Sequence, residues 1–305
     1  MSFKVVGIGE ALWDLLPGGR QMGGAPTNFT CHARALSAEA QLITRVGGDD
    51  LGRELVNRLK KLGVPTDCVE VDAVKPTGTV TVTVDPNGQP QFIIHEGVAW
   101  DNLAGESAGR IAVSGADAVC FGTLGQRLEP ARSTILSLVR AASPTALRIF
   151  DVNLRQHFHS KAVIEESLAL ANVLKVNETE LPCLAEMLGL AGDEYSLIAQ
   201  LATRHQLSVV AYTRGEHGSA LFVRGRWSDH PGVPTKVVDT VGAGDAFTAA
   251  MTLGLLNRWN VNAINAYANE VAAYVASCAG ATPDLPEYLR TPFDNVTVAP
   301  ELEKD

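Results

Sequence analysis

The 305-residue chain predicts an α/β protein: a doubly wound, mostly parallel sheet flanked by helices, with a small β-sheet lid. Three observations carry that expectation. Short apolar runs rich in β-branched residues alternate with segments of helical period over most of the length, as a parallel sheet with crossover helices requires. Between Pro65 and Gly97 the period changes to two, which marks an excursion of hairpins. Near the C-terminal third, Lys236 to Met251 (KVVDTVGAGDAFTAAM) reads as a short strand, a glycine turn and the start of an apolar helix.

Taken in order, Phe3 to Gly9 is a compact first strand ended by glycine. Asp14 follows between apolar residues, either a strand-end charge in solvent or a carboxylate facing a ligand. Gly23-Gly24 permits close backbone approach, and Ala25 to Leu36 reads as a helix with Pro26 in its first turn, where a missing N–H costs nothing. Asn28 projects from that turn. Gln41 to Val46 is a second strand, and Asp49 to Leu62 a helix with Leu51, Leu55, Leu59 and Leu62 on one face. Thr79, Thr81 and Thr83 interleave with Val80, Val82 and Val84, Pro86-Asn87-Gly88 makes a turn, and Gln91 to His95 returns.

Beyond Asp117 the rhythm is regular. Strands are expected at Ala118 to Gly122, Leu147 to Asp151, Val173 to Val176 and Leu207 to Tyr212, and helices at Arg127 to Ala141 and Ser160 to Ala171. Polar residues just after such strands face the ligand crevice of a doubly wound sheet. Arg155 there has the charge a phosphate or a substrate needs. Asn177 and Glu180, three apart at a helix start, either cap that helix or hold a hydrated Mg²⁺. Thr213 to Gly218 is a glycine turn before a returning strand at Ser219 to Val223, and Ala246 to Leu256 and Val261 to Ala279 are long apolar helices.

The Gly242-Ala243-Gly244 turn is the sharpest feature. With almost no side chains, its N–H groups can approach an anion, and the following helix aims its positive dipole end at the same place. Asp245, just inside the helix, is expected to stay ionised and to serve as a base beside a bound phosphate. The same residues also admit a plain tight turn with a dipole-complementing charge.

Composition narrows the classes. The net charge of −9 argues against a nucleic-acid surface. No apolar run is long enough to span a bilayer and no leader is evident, so the chain reads as cytoplasmic, with no membrane partner. Five scattered cysteines read as reduced packing residues, and the sequons at Asn28, Asn177 and Asn295 carry no weight in such a chain. His157 and His159 lack a third ligand in register. Gly105-Glu106-Ser107-Ala108-Gly109 matches a hydrolase nucleophile elbow, but Trp100 to Ala104 is a poor strand to precede one. A serine hydrolase using Ser107 is the alternative from another class.

Asp239-Thr240-Val241-Gly242-Ala243-Gly244-Asp245-Ala246-Phe247 resembles, without departure, the D-T-x-G-A-G-D-x-F signature of the PfkB, or ribokinase-like, carbohydrate kinases. Gly23 to Asn28 matches the family's G-G-x-x-x-N segment, and the resemblance covers essentially the whole chain, 1–305, as one kinase domain with lid strands inserted at about 10–22 and 65–100. The resemblance implies transfer of the γ-phosphoryl of ATP to a sugar hydroxyl, with Asp245 as base and the Gly242, Ala243 and Gly244 amides around the phosphoryl. It assigns Asp14, Gly23, Gly24 and Asn28 to the sugar side; Arg155 belongs to the substrate-binding set, with contact to sugar or to phosphate left open. Asn177, Thr213, Gly215, Gly218, Gly244 and Asn269 fall to the nucleotide, and Asn177 with Glu180 to Mg²⁺ through water. Asp239 matches one ligand position of a monovalent cation, and K⁺ is left open. The lid sheet is expected to pair two copies as a homodimer. The opening GEALWDLLP and the segment GGAPTN look most like fructokinases, while Phe92-Ile93-Ile94-His95-Glu96 lacks the arginine of kinases acting on 2-keto-3-deoxygluconate. A neutral sugar, fructose first, is the expected acceptor, with 2-keto-3-deoxygluconate and ribokinase-type substrates as alternatives.

Overall fold

A computed structural model describes residues 2–16, 18–84 and 90–290; the expected Pro86-Asn87-Gly88 turn and the Asn295 sequon lie outside the described residues. The chain opens with strands β1 (Lys4–Ile8), β2 (Leu12–Leu16) and β3 (Gly19–Gly23), helix α1 (Ala25–Ala35), β4 (Glu39–Gly47), α2 (Asp50–Lys61), β5 (Val69–Asp72), β6 (Gly78–Val84) and β7 (Pro90–Ile94). It continues through α3 (Ser107–Ser114), β8 (Ala118–Phe121), α4 (Ala131–Ala141), β9 (Leu147–Asp151), α5 (Lys161–Leu170), β10 (Val173–Asn177), α6 (Glu180–Leu188) and α7 (Glu194–Arg204). It ends with β11 (Val209–Thr213), β12 (Ser219–Val223), β13 (Arg226–His230), α8 (Ala243–Leu256), α9 (Val261–Ala276) and α10 (Glu287–Arg290).

Among the described residues the main sheet runs β13-β12-β11-β10-β9-β8-β1-β4-β5, parallel except for the β12 and β13 edge. From β1 the chain goes to β4 on one side, then returns to β8 on the other. The crevice beyond the carboxyl ends of β1 and β8 is therefore the topological switch point, where such sheets bind ligands. Continuous apolar runs suit these strands because both faces are covered. Helices α4 to α7 bury Ile135, Leu168, Leu184 and Leu201 on one face, and α1, α8 and α9 bury Phe29, Phe247 and Val271 on the other. Helix α8 is made of small and apolar residues and is buried on nearly every side from Ala246 to Gly254, so its start is held firmly against the sheet.

The small sheet, order β3-β2-β6-β7, is the lid. Its inner face packs Leu12, Val80, Val82 and Ile94 on Val98, Trp100, Leu124 and Phe158. Arg127 fastens the base of this lid: it lies 3.9 Å over the Trp100 ring, bonds Asp101 at 2.8 and 2.9 Å, and donates to His95 O at 2.7 Å.

Several expectations are corrected. Lys236 to Val238 is not a strand: Val237 and Val238 are 53% and 58% exposed, and the N–H groups of Val238 and Asp239 go to Ala276 O at the end of α9 instead of to a strand. Within 65–100, β5 pairs with β4 and so extends the main sheet, not the lid. The helix expected from Arg127 begins at Ala131, since Arg127 is committed to the lid. Helix α7 and strand β13 had no counterpart in the sequence expectation. Cysteines 31, 68 and 120 are buried as expected, but Cys183 is exposed.

Candidate active site

The glycine turn and the Asn28 helix, 217 positions apart, meet. Asn28 Nδ2 donates to Asp245 Oδ2 at 2.8 Å. Asn28 is buried on α1, whose first turn is set by Gly24, where a Cβ would lie 2.4 Å from Glu10 O. The amide that the resemblance assigned to sugar is thus turned toward the Asp245 carboxyl, and its Oδ1 is buried without a partner.

Gly242 starts α8 in the left-handed region, φ 80°. Helix-start N–H groups have no partner inside the helix; at the α8 start the Ala243 N–H reaches back to Thr240 O at 3.3 Å. The helix start favours the ionised form of Asp245, but the folded surroundings oppose it. Burial, reinforced by the nearby Asp151 charge, pushes its carboxyl up to about 6, against the Asn28 hydrogen bond and the charges of Lys175 and Arg155. It is still mostly ionised at neutral pH, and being partly desolvated makes it a better base.

Beneath the cradle lies a buried ion pair. Lys175 Nζ bonds Asp151 Oδ1 at 3.1 Å, and Thr248 Oγ1 of α8 donates to Asp151 Oδ2 at 3.0 Å. Glu10, just past β1, is also buried: Oε1 accepts Ala25 N–H at 3.2 Å at the α1 start, and Oε2 has no partner. Burial raises Glu10 to about 7, with backbone hydrogen bonds opposing. Sequence reasoning missed Glu10, Lys175 and Thr248. The signals were present in Lys175, a lone cation inside an apolar strand, and in Glu10, an acid directly at the end of β1.

On the lid side, Asp14 stands in β2 with its Oδ2 over Gly23, where a Cβ would come within 2.4 Å. Burial lifts Asp14 to about 6, opposed by Arg155. Arg155 is exposed, and its charge acts on Glu10, Asp14 and Asp245 together. Asp14, Arg155, Glu10, Asn28 and Asp245 are therefore neighbours, linked by the reach of the Arg155 charge and by the Asn28–Asp245 hydrogen bond.

The remaining candidates lie along the strand ends on the far side of Lys175. Asn177 and Glu180 cap each other: Glu180 N–H donates to Asn177 Oδ1 and Asn177 N–H to Glu180 Oε2, both at 2.9 Å, while Glu180 Oε1 takes Leu154 N–H at 3.0 Å. Oxygen donors suit Mg²⁺, and with each of these oxygens already accepting a protein donor, contact through water is the role that fits. Among the described residues no three His, Cys, Asp or Glu side chains cluster as direct metal ligands. Thr213, Gly215 and Gly218 form the hairpin between β11 and β12, closed by Arg214 N–H to Gly218 O at 2.7 Å. Asn269 is buried on α9, donating to Ser219 Oγ at 2.7 Å and to Asn265. Asp239 braces two loops beside the cradle, accepting Val241 N–H at 3.0 Å and Gly280 N–H at 3.1 Å.

Ser107 is exposed at the first position of α3 and follows coil, not a strand, while Gly105 N–H is taken by Glu70 at 2.8 Å. No nucleophile elbow is formed. Ser107→Ala is expected to leave phosphoryl transfer within about twofold of the parent in a steady-state assay, as surface changes usually do.

The model of the pfkB family carbohydrate kinases matches residues 18–288. The chain belongs to that family. This kinase is 30% identical to an uncharacterized sugar kinase of Pyrococcus horikoshii, over 97% of this chain and 98% of the relative. The crystal structure of that relative in complex with ATP superposes with a TM-score of 0.78 over 91% of this chain and 94% of that one. A fructokinase of Klebsiella pneumoniae is 32% identical over 84% of this chain and 85% of its own. The Vibrio cholerae fructokinase solved with fructose, ADP and calcium ion has a TM-score of 0.79, 25% identity, and coverage of 93% and 96%. The fold of the kinase is accordingly ribokinase-like, and its activity is that of a carbohydrate kinase, a transferase. No helix among the described residues is long and apolar enough to cross a membrane.

Proposed function

We propose that the kinase transfers the γ-phosphoryl of ATP to a hydroxyl of a neutral sugar, with fructose as the acceptor. The hydrogen bond between Asn28 and Asp245 carries this reading, because it joins the sugar-side helix to the carboxylate beside the helix-start amides. A sugar in the cleft would offer hydroxyls to Asp14, with Gly23 and Gly24 allowing its close approach. Asp245 would take the proton of the attacking hydroxyl as its bond to the γ-phosphorus forms and the bond from that phosphorus to the bridging oxygen breaks, releasing ADP. The Gly242, Ala243 and Gly244 amides would receive the negative charge developing on the phosphoryl oxygens, with Arg155 beside them. Nothing covalent is asked of the protein.

ATP as donor is supported by the ATP complex of the Pyrococcus horikoshii relative. In this reading its phosphates reach the α8 start from the strand-end side, past Asn177, with Thr213, Gly215, Gly218 and Asn269 toward the base. Mg²⁺ would supply charge neutralisation for the phosphates, held through water by Asn177 and Glu180. Asp239 is where a K⁺ ion would sit. Fructose is favoured by the two fructokinase relatives, and a neutral acceptor by the absence of arginine from Phe92 to Glu96. Residues 1–305 form one kinase domain in this proposal, working in the cytoplasm as a homodimer. The 50% and 52% exposed Phe92 and Ile93 of the lid offer apolar surface for a second copy.

Phosphorylation of a panel of ketoses, aldoses and 2-keto-3-deoxygluconate with ATP tests the acceptor. Fructose is expected to give the highest kcat/KM, and a clear lead for 2-keto-3-deoxygluconate or ribose would replace it. Asp14→Asn is expected to raise the KM for sugar about tenfold with little change in kcat, as loss of a charged hydrogen bond made equally in ground and transition states would.

A further inference from the structure

The Lys175 and Asp151 pair is costly to bury, and its position says what it is for. Both side chains are under 10% exposed, and the desolvation of two ions is only partly recovered by their attraction. The ammonium lies directly under the first turn of α8: a Cβ on Gly244 would sit 3.3 Å from Nζ. Thr248, one turn further along α8, holds the other oxygen of Asp151. The pair therefore meets the cradle helix at two points, Gly244 and Thr248, which flank Asp245 in the first turn of α8.

We propose that Lys175 is a positioning residue: its ammonium, pinned by Asp151 under the α8 first turn, is the counter-charge for Asp245 and the cradle. The assignment rests on the kinase reading for its use, but not for its geometry. The groups facing Asp245 are Asn28 from α1, Glu10 from the end of β1, Cys120 from β8, Asp151 and Arg155 from β9 and its loop, and Lys175 from β10. Burial keeps the Cys120 thiol neutral. Asp151 and Lys175 act on Asp245 with opposite sign, Asp151 raising it and Lys175 lowering it.

That opposition supplies a test that a merely structural role would not pass. The titration of Asp245 is followed by NMR on the full chain labelled with ¹³C-aspartate, the resonance being assigned by its loss in Asp245→Asn. Parent and variants are also compared on a Glu10→Gln background to remove the neighbouring titration. Lys175→Met is expected to raise the Asp245 midpoint by about one unit, and Asp151→Asn to lower it by a similar amount. Lys175→Arg should restore the parent midpoint. An unmoved midpoint, or a shift of the same sign in both variants, overturns the proposal even if activity is lost. Should Lys175→Met fail to fold, Asp151→Asn decides alone: a downward shift supports the proposal and no shift overturns it. The measurement needs neither sugar nor ATP. Failure of the kinase reading would show separately, as a parent protein that titrates as expected and phosphorylates nothing.

Discussion

Asp245→Asn is expected to lower kcat for sugar phosphorylation by ~10²–10⁴-fold while leaving the KM values within a few-fold, the pattern of a lost proton acceptor. The amide keeps the shape of the carboxyl and can still accept the bond from Asn28 Nδ2, so the meeting of α1 and α8 should survive. What disappears is the capacity to take a proton from the attacking hydroxyl. The same assignment fixes the pH dependence. A base acts when ionised, so kcat/KM should be full above the Asp245 midpoint and fall tenfold per unit below it. Burial first, and the Asp151 charge second, place that midpoint near 6 and not in the ordinary aspartate range. A coupled assay of ADP release between pH 5 and 8 gives both results. A loss under tenfold in Asp245→Asn, or an acid limb that persists unchanged in it, would assign the proton elsewhere.

The sheet was legible because apolar strands and crossover helices leave periodic marks in sequence; β9 falls at its expected bounds, Leu147–Asp151. The cradle was legible for a different reason. A turn that must take positive φ directly before a helix leaves few residue choices, and Gly242, at φ 80°, uses the one that fits. The valines at Lys236 to Val238 misled, since β-branched residues suit a strand only where their N–H groups pair with one, and here those of Val238 and Asp239 go to the end of α9. Charges hidden by folding were harder. Lys175 shows in sequence only as a lone cation in an apolar strand, and its partner appears only when β9 brings Asp151 and α8 brings Thr248 to hold that carboxylate. Asp245 read as a dipole-stabilised carboxylate because the helix start is local in sequence, whereas the burial and the Asp151 charge that oppose it come from elements distant in the chain. Local rules gave its place, and long-range packing set its basicity.

The cradle itself makes the second large prediction. Gly242→Ala is expected to reduce kcat by ~10²-fold or more, the scale on which losing one preorganised donor to a developing oxyanion is felt. Two costs combine there. The left-handed backbone, φ 80°, charges an alanine about 1–2 kcal/mol. The new Cβ would also lie 2.3 Å from Ala281 O, and that carbonyl has little freedom to yield. His32 Nε2 bonds it at 2.9 Å from inside the core, and Asp239 holds the adjoining Gly280 N–H at 3.1 Å. The glycine turn must therefore move, and the amides of the α8 first turn move with it. Gly225→Ala is the matched control: its φ of 84° carries the same backbone cost, but a Cβ there meets nothing within 4 Å, and it lies in the turn between β12 and β13. Both variants should lose thermal stability by a few degrees, and only Gly242→Ala should lose kcat. If the two lose activity alike, the backbone cost alone explains the effect and the amides of the turn hold no reacting phosphoryl; if Gly242→Ala keeps its rate, the cradle is not where the transfer occurs.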